Sequence, residues 1–317
     1  MFTKYLDPKN DVAFRKIFGS EKHKKILIHF LNDMICFDGD DPIVEVTFLK
    51  TVQDPEIASK KESIVDVLCE DCKGTQYIVE MQVAETAGFE KRAQYYAAKA
   101  YSSQLNKGKE EDGRYKNLKQ VIFLSIADFV LFPNKRAYKS DHVVLDRKTY
   151  EHDLKDFSFT FLELPKFKKT LDDELVNMVE KWCIFFKYAD EMNDADLEKL
   201  VSNGDVIIKD AYGALDRFNW TEAELNSYEQ ELKRVRDNLA AEDARREKEE
   251  KRLAEAMERS LQEGFEKGIE KGIEKGIEKR SIEIANNLLL AGVDLDVVSR
   301  TTGLTVDEIK KHRNLNN

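Results

Sequence analysis

Proline is scarce and confined to one part of the chain. All five prolines lie at or before Pro165, so nothing beyond Pro165 carries the ring that breaks a helix. The chain therefore divides into a mixed, turn-containing part and a part permissive for helix, with the boundary near Pro165 to Thr170. Cysteine is equally sparse: the four, Cys36, Cys69, Cys72 and Cys183, make no disulfide framework and fit a reducing compartment. Cys69-Glu70-Asp71-Cys72 is a lone C-x-x-C with no second pair and no nearby histidine, which favours turn cysteines over zinc. None of His23, His29, His142, His152 or His312 forms a metal-spaced pair, and no phosphate-binding glycine loop occurs, so ATP dependence is not indicated. No apolar run approaches the roughly 20 residues that span a bilayer. The start, Met1 to Asp7, lacks the apolar core of a signal peptide. A cytoplasmic protein with no membrane partner is the expectation. Positive charge is in deficit, 51 Lys and Arg against 61 Asp and Glu, for a net charge of −10. Bulk electrostatics would repel nucleic acid, so DNA binding requires a local basic patch.

What is present is enough for a sizeable core. At 317 residues the length suggests about two domains. Charged residues reach 35%, above the roughly 25% of ordinary soluble domains, which predicts a long solvated helical region.

The most informative segment is Ile64 to Val83. Ile64-Val65-Asp66-Val67-Leu68 and Gln76 to Val83 read as paired strands with turn-type residues between them. With Cys72-Lys73-Gly74 as the loop and Gly74 left-handed, pairing centres on Lys73 and Asp66 faces Glu80. Side chains alternate along a strand, so Gln82 points the same way as Glu80. Two carboxylates and an amide then converge within reach of one ion. Like charges directly opposite are destabilising unless something relieves them, and a divalent metal would do so. By spacing alone, solvated carboxylates on a strand fit as well. A slip of one residue in the turn would send Asp66 to the other face. On the helix expected from Phe89 to Leu105, Arg92, Tyr96 and Lys99 share a face at i, i+4 and i+7. They offer a cation and a hydroxyl to a phosphate held at a metal. The bland alternative is that Tyr95, Tyr96 and Tyr101 are core aromatics and Arg92 a solvated charge.

Around this segment the pattern alternates helix and strand. Asn10 or Asp11 can cap a helix Val12 to Phe18, and a second helix runs from Lys22 to Met34. Strands are expected at Ile43 to Leu49, Val121 to Ile126, Val143-Val144-Leu145 and Phe159 to Leu164, giving an α/β sheet core with helices on its faces. Helices follow at Leu171 to Tyr188, Ala195 to Leu200 and Val206 to Phe218, then a charged segment from Thr221 to about Lys279. Gly264-Phe265-Glu266-Lys267 opens a repeat continued by Gly-Ile-Glu-Lys units at Gly268, Gly272 and Gly276. Each glycine costs a helix about 1 kcal/mol relative to alanine. Like charges fall at i,i+4, so a flexible linker is slightly favoured over a helix packed on a second copy. Ile282, Ala285, Leu288 and Leu289 precede Gly292, Leu295, Val297 and Val298 precede Gly303, and Thr305-Val306-Asp307-Glu308 is a capping box. These short helices suit a dimerising or capping bundle better than a helix-turn-helix reader, whose recognition helix would offer chiefly Lys310, Lys311, His312 and Arg313.

Several segments together resemble a known family. Asn10-Asp11-Val12-Ala13-Phe14-Arg15-Lys16-Ile17-Phe18-Gly19, Asp66 with Glu80-Met81-Gln82, Lys91-Arg92-Ala93-Gln94-Tyr95-Tyr96 and the Gly-x-x-x repeat resemble the Rpn-type recombination-promoting nucleases, also described as transposases. The likeness runs over most of the chain. It implies the PD-(D/E)XK superfamily: an α/β, restriction-endonuclease-like mixed central sheet flanked by helices, followed here by an all-helical C-terminal region. It also implies Mg²⁺-dependent hydrolysis of DNA phosphodiester bonds, with Mn²⁺ as a possible substitute. Carried over, Asp66, Glu80 and Gln82 are the catalytic set, Asp66 and Glu80 being the metal ligands, and Gln82 stands where the superfamily has lysine. Asp11 is a candidate third ligand or an ordinary N-cap. Arg92 or Lys99 would supply the missing charge, with Tyr96 beside them on the DNA phosphate. The expected organisation is a nuclease core over 1–168, a helical extension over 169–220, a charged linker over 221–280 and a three-helix module over 281–317. The expected partners are DNA and further copies of the chain, met through the C-terminal helices. Two other readings compete: a catalytically weak or inactive assembly or regulatory protein, and a DNA-binding transposition accessory factor.

Overall fold

The computed structural model describes residues 3–35, 41–53, 63–107, 114–201 and 204–314. The chain forms two compact units, residues 1–239 and 240–317. In the first, two helices open the fold, α1 (Asp11–Phe18) and α2 (Lys24–Ile35). Strands β1 (Val46–Phe48), β2 (Val52–Gln53), β3 (Ser63–Ile64), β4 (Val67–Asp71) and β5 (Gln76–Gln82) follow, then α3 (Phe89–Ser103). After these come β6 (Val121–Ala127), β7 (Lys139–Val143), β8 (Phe157–Glu163), α4 (Met178–Tyr188), α5 (Asp194–Leu200) and α6 (Val206–Leu215).

The main sheet is six-stranded, in the order β1-β4-β5-β6-β8-β7, and β2-β3 form a separate pair. Pairing is antiparallel at both ends and parallel across β5-β6-β8, so the sheet is mixed. The parallel centre is covered on both faces, as parallel strands require. On one face Val67, Val79, Met81, Leu124, Ile126 and Leu162 bury against apolar residues of α1, α2, α4 and α6. On the other, Leu68, Ile78, Val121, Phe123 and Phe161 bury against Phe89, Ala93, Ala97 and Ala100 of α3. Alanine at i, i+4 and i+7 lets that helix lie close to the sheet.

The hairpin has the expected register. Val67 pairs with Val79, Leu68 with Ile78, Cys69 with Tyr77 and Glu70 with Gln76, and Gly74 takes φ +83°. The first run is not one strand, however. It breaks at Val65-Asp66: among the described residues β3 pairs with β2 alone, and β4 begins at Val67. Other boundaries shift as well, the strand expected at Ile43 to Leu49 being limited to β1 and that at Phe159 to Leu164 falling at β8. The expected strand at Val143-Val144-Leu145 lies earlier, as β7, with Val144 and Leu145 exposed. The helix expected from Leu171 starts at Met178, where Asn177 caps it by accepting the Glu180 amide, and α6 stops at Leu215 because Asp216 is extended.

Helix α7 (Glu222–Leu290) is continuous through all the Gly-x-x-x repeats, which corrects the preference for a flexible linker. Thr221 and Glu224 cap its start reciprocally. In the second unit, α8 (Leu295–Thr302) and α9 (Val306–Asn314) follow the end of α7. Gly292 and Gly303 stand at φ +80° and +74° as helix terminators, and Thr305 and Glu308 form the expected capping box. Ala285, Val298 and Ile309 make a small buried core.

Candidate active site

The break in the hairpin builds the site. At Asp66 the backbone ladder is replaced by side chains: Met81 N–H donates to Asp66 Oδ2 at 3.0 Å, and Asp66 N–H donates to Glu80 Oε1 at 3.3 Å. Each carboxylate therefore fixes the other's strand. Asp66 and Glu80 are only 9% and 6% exposed. Burial, and then the charge of Asp66, pushes the Glu80 carboxyl up to about 8, against the opposing pull of Arg92 and the Asp66 amide.

Gln82, next on the same face, is anchored at both ends of its amide. Nε2 donates to Ala84 O at 2.9 Å, and Oε1 accepts from the Arg92 guanidinium. Arg92 also sits over the Phe89 ring, 4.9 Å from its centroid. Tyr96, one turn on, is half-buried, and burial raises its hydroxyl with Arg92 and Glu80 in electrostatic range. Lys99, on the same face, is half-buried. Of the tyrosines, Tyr96 and Tyr101 pack partly against the core and Tyr95 is 53% exposed.

On α1, Asn10 is the N-cap, accepting from Val12 N and Ala13 N, so Asp11 is released from that role. The Asp11 carboxyl is raised chiefly by burial and then by Asp66, and it pairs with Arg234 at 3.5 Å. Among the described residues no three His, Cys, Asp or Glu side chains form a group that could hold a metal, so Asp11 does not complete a triad with Asp66 and Glu80.

Two neighbours were not singled out as site residues from the sequence. Arg15 donates from Nη2 to Asp66 Oδ1 at 2.8 Å and from Nε at 3.3 Å. Its only local signal is that it follows Asp11 by four residues, on one helix face. Ser125 of β6 is the lateral partner of Glu80 and fully buried, and its Oγ has no hydrogen-bond partner among the described residues. Alternation places it on the face shared by Ile78 and Glu80.

A family model described as PD-(D/E)XK nuclease family transposase matches residues 8–244. The chain belongs to that family. A second model, the C-terminal HTH domain of the Rpn/YhgA-like nuclease family, matches residues 278–314. No curated protein and no solved structure matches the chain. The second match overturns the preference for a dimerising or capping bundle: the end of α7 with α8 and α9 is a helix-turn-helix domain. Short helices with one buried residue each carry no compositional mark that separates the two architectures.

The side chains in this PD-(D/E)XK family member fit a hard divalent cation. Two buried carboxyl groups stand close enough for each to feel the other, a guanidinium already lies on Asp66, and beside Glu80 lies a Ser125 hydroxyl with no partner among the described residues. Mg²⁺ is bound through one or two carboxylates, with water and substrate phosphate completing its shell, so a third protein carboxylate is not needed.

Proposed function

We propose that the protein is a Mg²⁺-dependent DNA endonuclease acting in recombination or on mobile elements. The observation that carries this reading is the Asp66–Glu80 pair, buried and cross-linked to both strands of the hairpin. Asp66 and Glu80 would hold the metal, which lowers the pKa of bound water and polarises the phosphoryl oxygen. Gln82 is neutral and cannot carry the charge of the superfamily lysine, but its tie to Arg92 sets a permanent cation at that end of the site. Tyr96 adds a hydroxyl on the same helix face for a phosphate oxygen. The reading is tested by relaxation of supercoiled plasmid with Mg²⁺, Mn²⁺ or EDTA. Cleavage that persists in EDTA would remove it.

The raised Glu80 carboxyl has a consequence for stability. The folded state holds this proton more tightly than the unfolded chain, whose carboxyl titrates near 4.5. The stabilising contribution is therefore complete below about 4.5 and is lost as pH rises through about 8. Denaturation of the metal-free protein between pH 5 and 9 should show that decline in wild type and a flatter profile in Glu80→Gln. Identical profiles would mean that Glu80 is an ordinary carboxylate.

The helix-turn-helix domain supports duplex binding despite the acidic net charge. Lys310 and Lys311 are exposed on α9. Replacing both with alanine in the full chain should weaken binding uniformly across sequences and lower the magnitude of the log–log salt slope by about 1 for each lysine on a phosphate. An unchanged slope would place the duplex elsewhere.

We also infer self-association through α7. Leu253, Met257, Leu261, Phe265, Ile269, Ile273 and Ile277 are all exposed and recur every fourth residue. Such a stripe is an expensive surface for a lone helix. Light scattering should give the full chain a multiple of the chain mass and a chain ending at Phe218 a single one. Equal assembly by both would exclude α7.

A further inference from the structure

Asp66 Oδ2 is committed to the Met81 amide, so the metal reading of this site leaves Oδ1 as the oxygen to be shared with a cation. That oxygen already has one. Arg15 approaches it with both Nη2 and Nε, yet the Arg15 side chain is 48% exposed while Asp66 is 9% exposed. The carboxylate is tied to β5 through the Met81 amide, and the guanidinium is the solvent-exposed member of the pair. It also stands in the field of Asp11 and Glu80 as well as Asp66, so the same positive charge answers every acidic group here. Arg92 cannot share this duty, because it is tied to Gln82 and packed over Phe89.

We propose that Arg15 is an exchangeable counter-ion. It neutralises Asp66 while the metal is absent, yields Oδ1 when a divalent cation enters, and is then released onto the phosphate of the bound DNA. The inference rests on the reading of Asp66 as a metal ligand. The guanidinium is suited to both partners, since its planar fork matches carboxylate and phosphate alike. Because it competes with the cation, its loss should strengthen metal binding, which damage to the site would not do.

The test uses the full chain. Mn²⁺ binding is followed by electron paramagnetic resonance for wild type, Arg15→Gln, Arg15→Lys and Asp66→Asn. Binding of a short blunt duplex is followed by fluorescence anisotropy with and without Ca²⁺. Arg15→Gln should bind Mn²⁺ about tenfold more tightly than wild type, equivalent to about 1.4 kcal/mol, and Arg15→Lys should fall between them. Arg15→Gln should also lose most of the Ca²⁺-dependent gain in duplex affinity. Equal or weaker Mn²⁺ binding by Arg15→Gln, with binding abolished in Asp66→Asn, overturns the exchange and leaves the metal site standing. Undiminished Mn²⁺ binding by Asp66→Asn overturns the metal site itself. A Ca²⁺-dependent gain in Arg15→Gln equal to that of wild type overturns release onto phosphate.

Discussion

Asp66→Asn should reduce Mg²⁺-dependent plasmid nicking by on the order of 10³-fold, the scale of losing several kcal/mol of metal-borne transition-state stabilisation. The substitution is nearly isosteric and keeps one oxygen, so the Met81 amide at 3.0 Å retains an acceptor. What it removes is the charge. Arg15 then faces a neutral amide instead of a carboxylate at 2.8 Å, and the metal loses one of its two anionic donors. Circular dichroism and the denaturation midpoint should change little, which separates a chemical loss from a folding one. Nicking by Asp66→Asn equal to wild type would dismiss Asp66 from the chemistry.

The largest effect on stability should come from Phe18→Ala, at about 3–5 kcal/mol, a large part of the roughly 5–15 kcal/mol that holds a typical domain together. Phe18 is fully buried in the last turn of α1. Its ring lies 4.9 Å from Phe14, 4.8 Å from Phe30, 6.1 Å from Trp182 and 5.9 Å from Phe186, centroid to centroid. Truncation leaves a cavity walled by rings that α2 and α4 hold from outside, so collapse is restricted. The same helix carries Asp11 and Arg15, so loosening it should also weaken the pairing with Asp66. Urea denaturation followed by tryptophan fluorescence measures the cost. Phe218→Ala is the control, since that ring is 88% exposed and its loss should change stability by no more than about 0.5 kcal/mol. Equal effects from the two would show that the aromatic cluster does not hold the core.

The hairpin register was legible in the sequence because two local rules agreed: alternation chose the faces, and Gly74 chose the turn. The break at Asp66 was not. β-Branched residues flank Asp66 on both sides, and nothing in a strand pattern signals that a carboxylate will take the amide of Met81 in place of a ladder bond. Arg15 was hidden for a different reason. It meets Asp66 at a separation of 51 positions, and only the docking of α1 beside the sheet creates the pair. Asn10 and Asp11 were equal candidates for the cap, and the choice fell to whichever side chain reached the Val12 and Ala13 amides. In α7 the glycines and like charges of the repeat disfavour helix only for an isolated peptide. Nucleation is the costly step in helix formation, and helical sequence on both sides removes that cost, so propagation through weak residues suffices.

The interleaving of Asp66 and Glu80 with the backbone also bears on how the protein comes to life during folding. A carboxylate that closes its site by taking a strand's own amide cannot be in place before the strand is, and the strand end is not latched without the carboxylate. The placement of Asp66 and Glu80 thus depends on the same end of the hairpin that their carboxylates tie together. On the reading of Asp66 and Glu80 as metal ligands, the site is therefore built from the same contacts that close the hairpin.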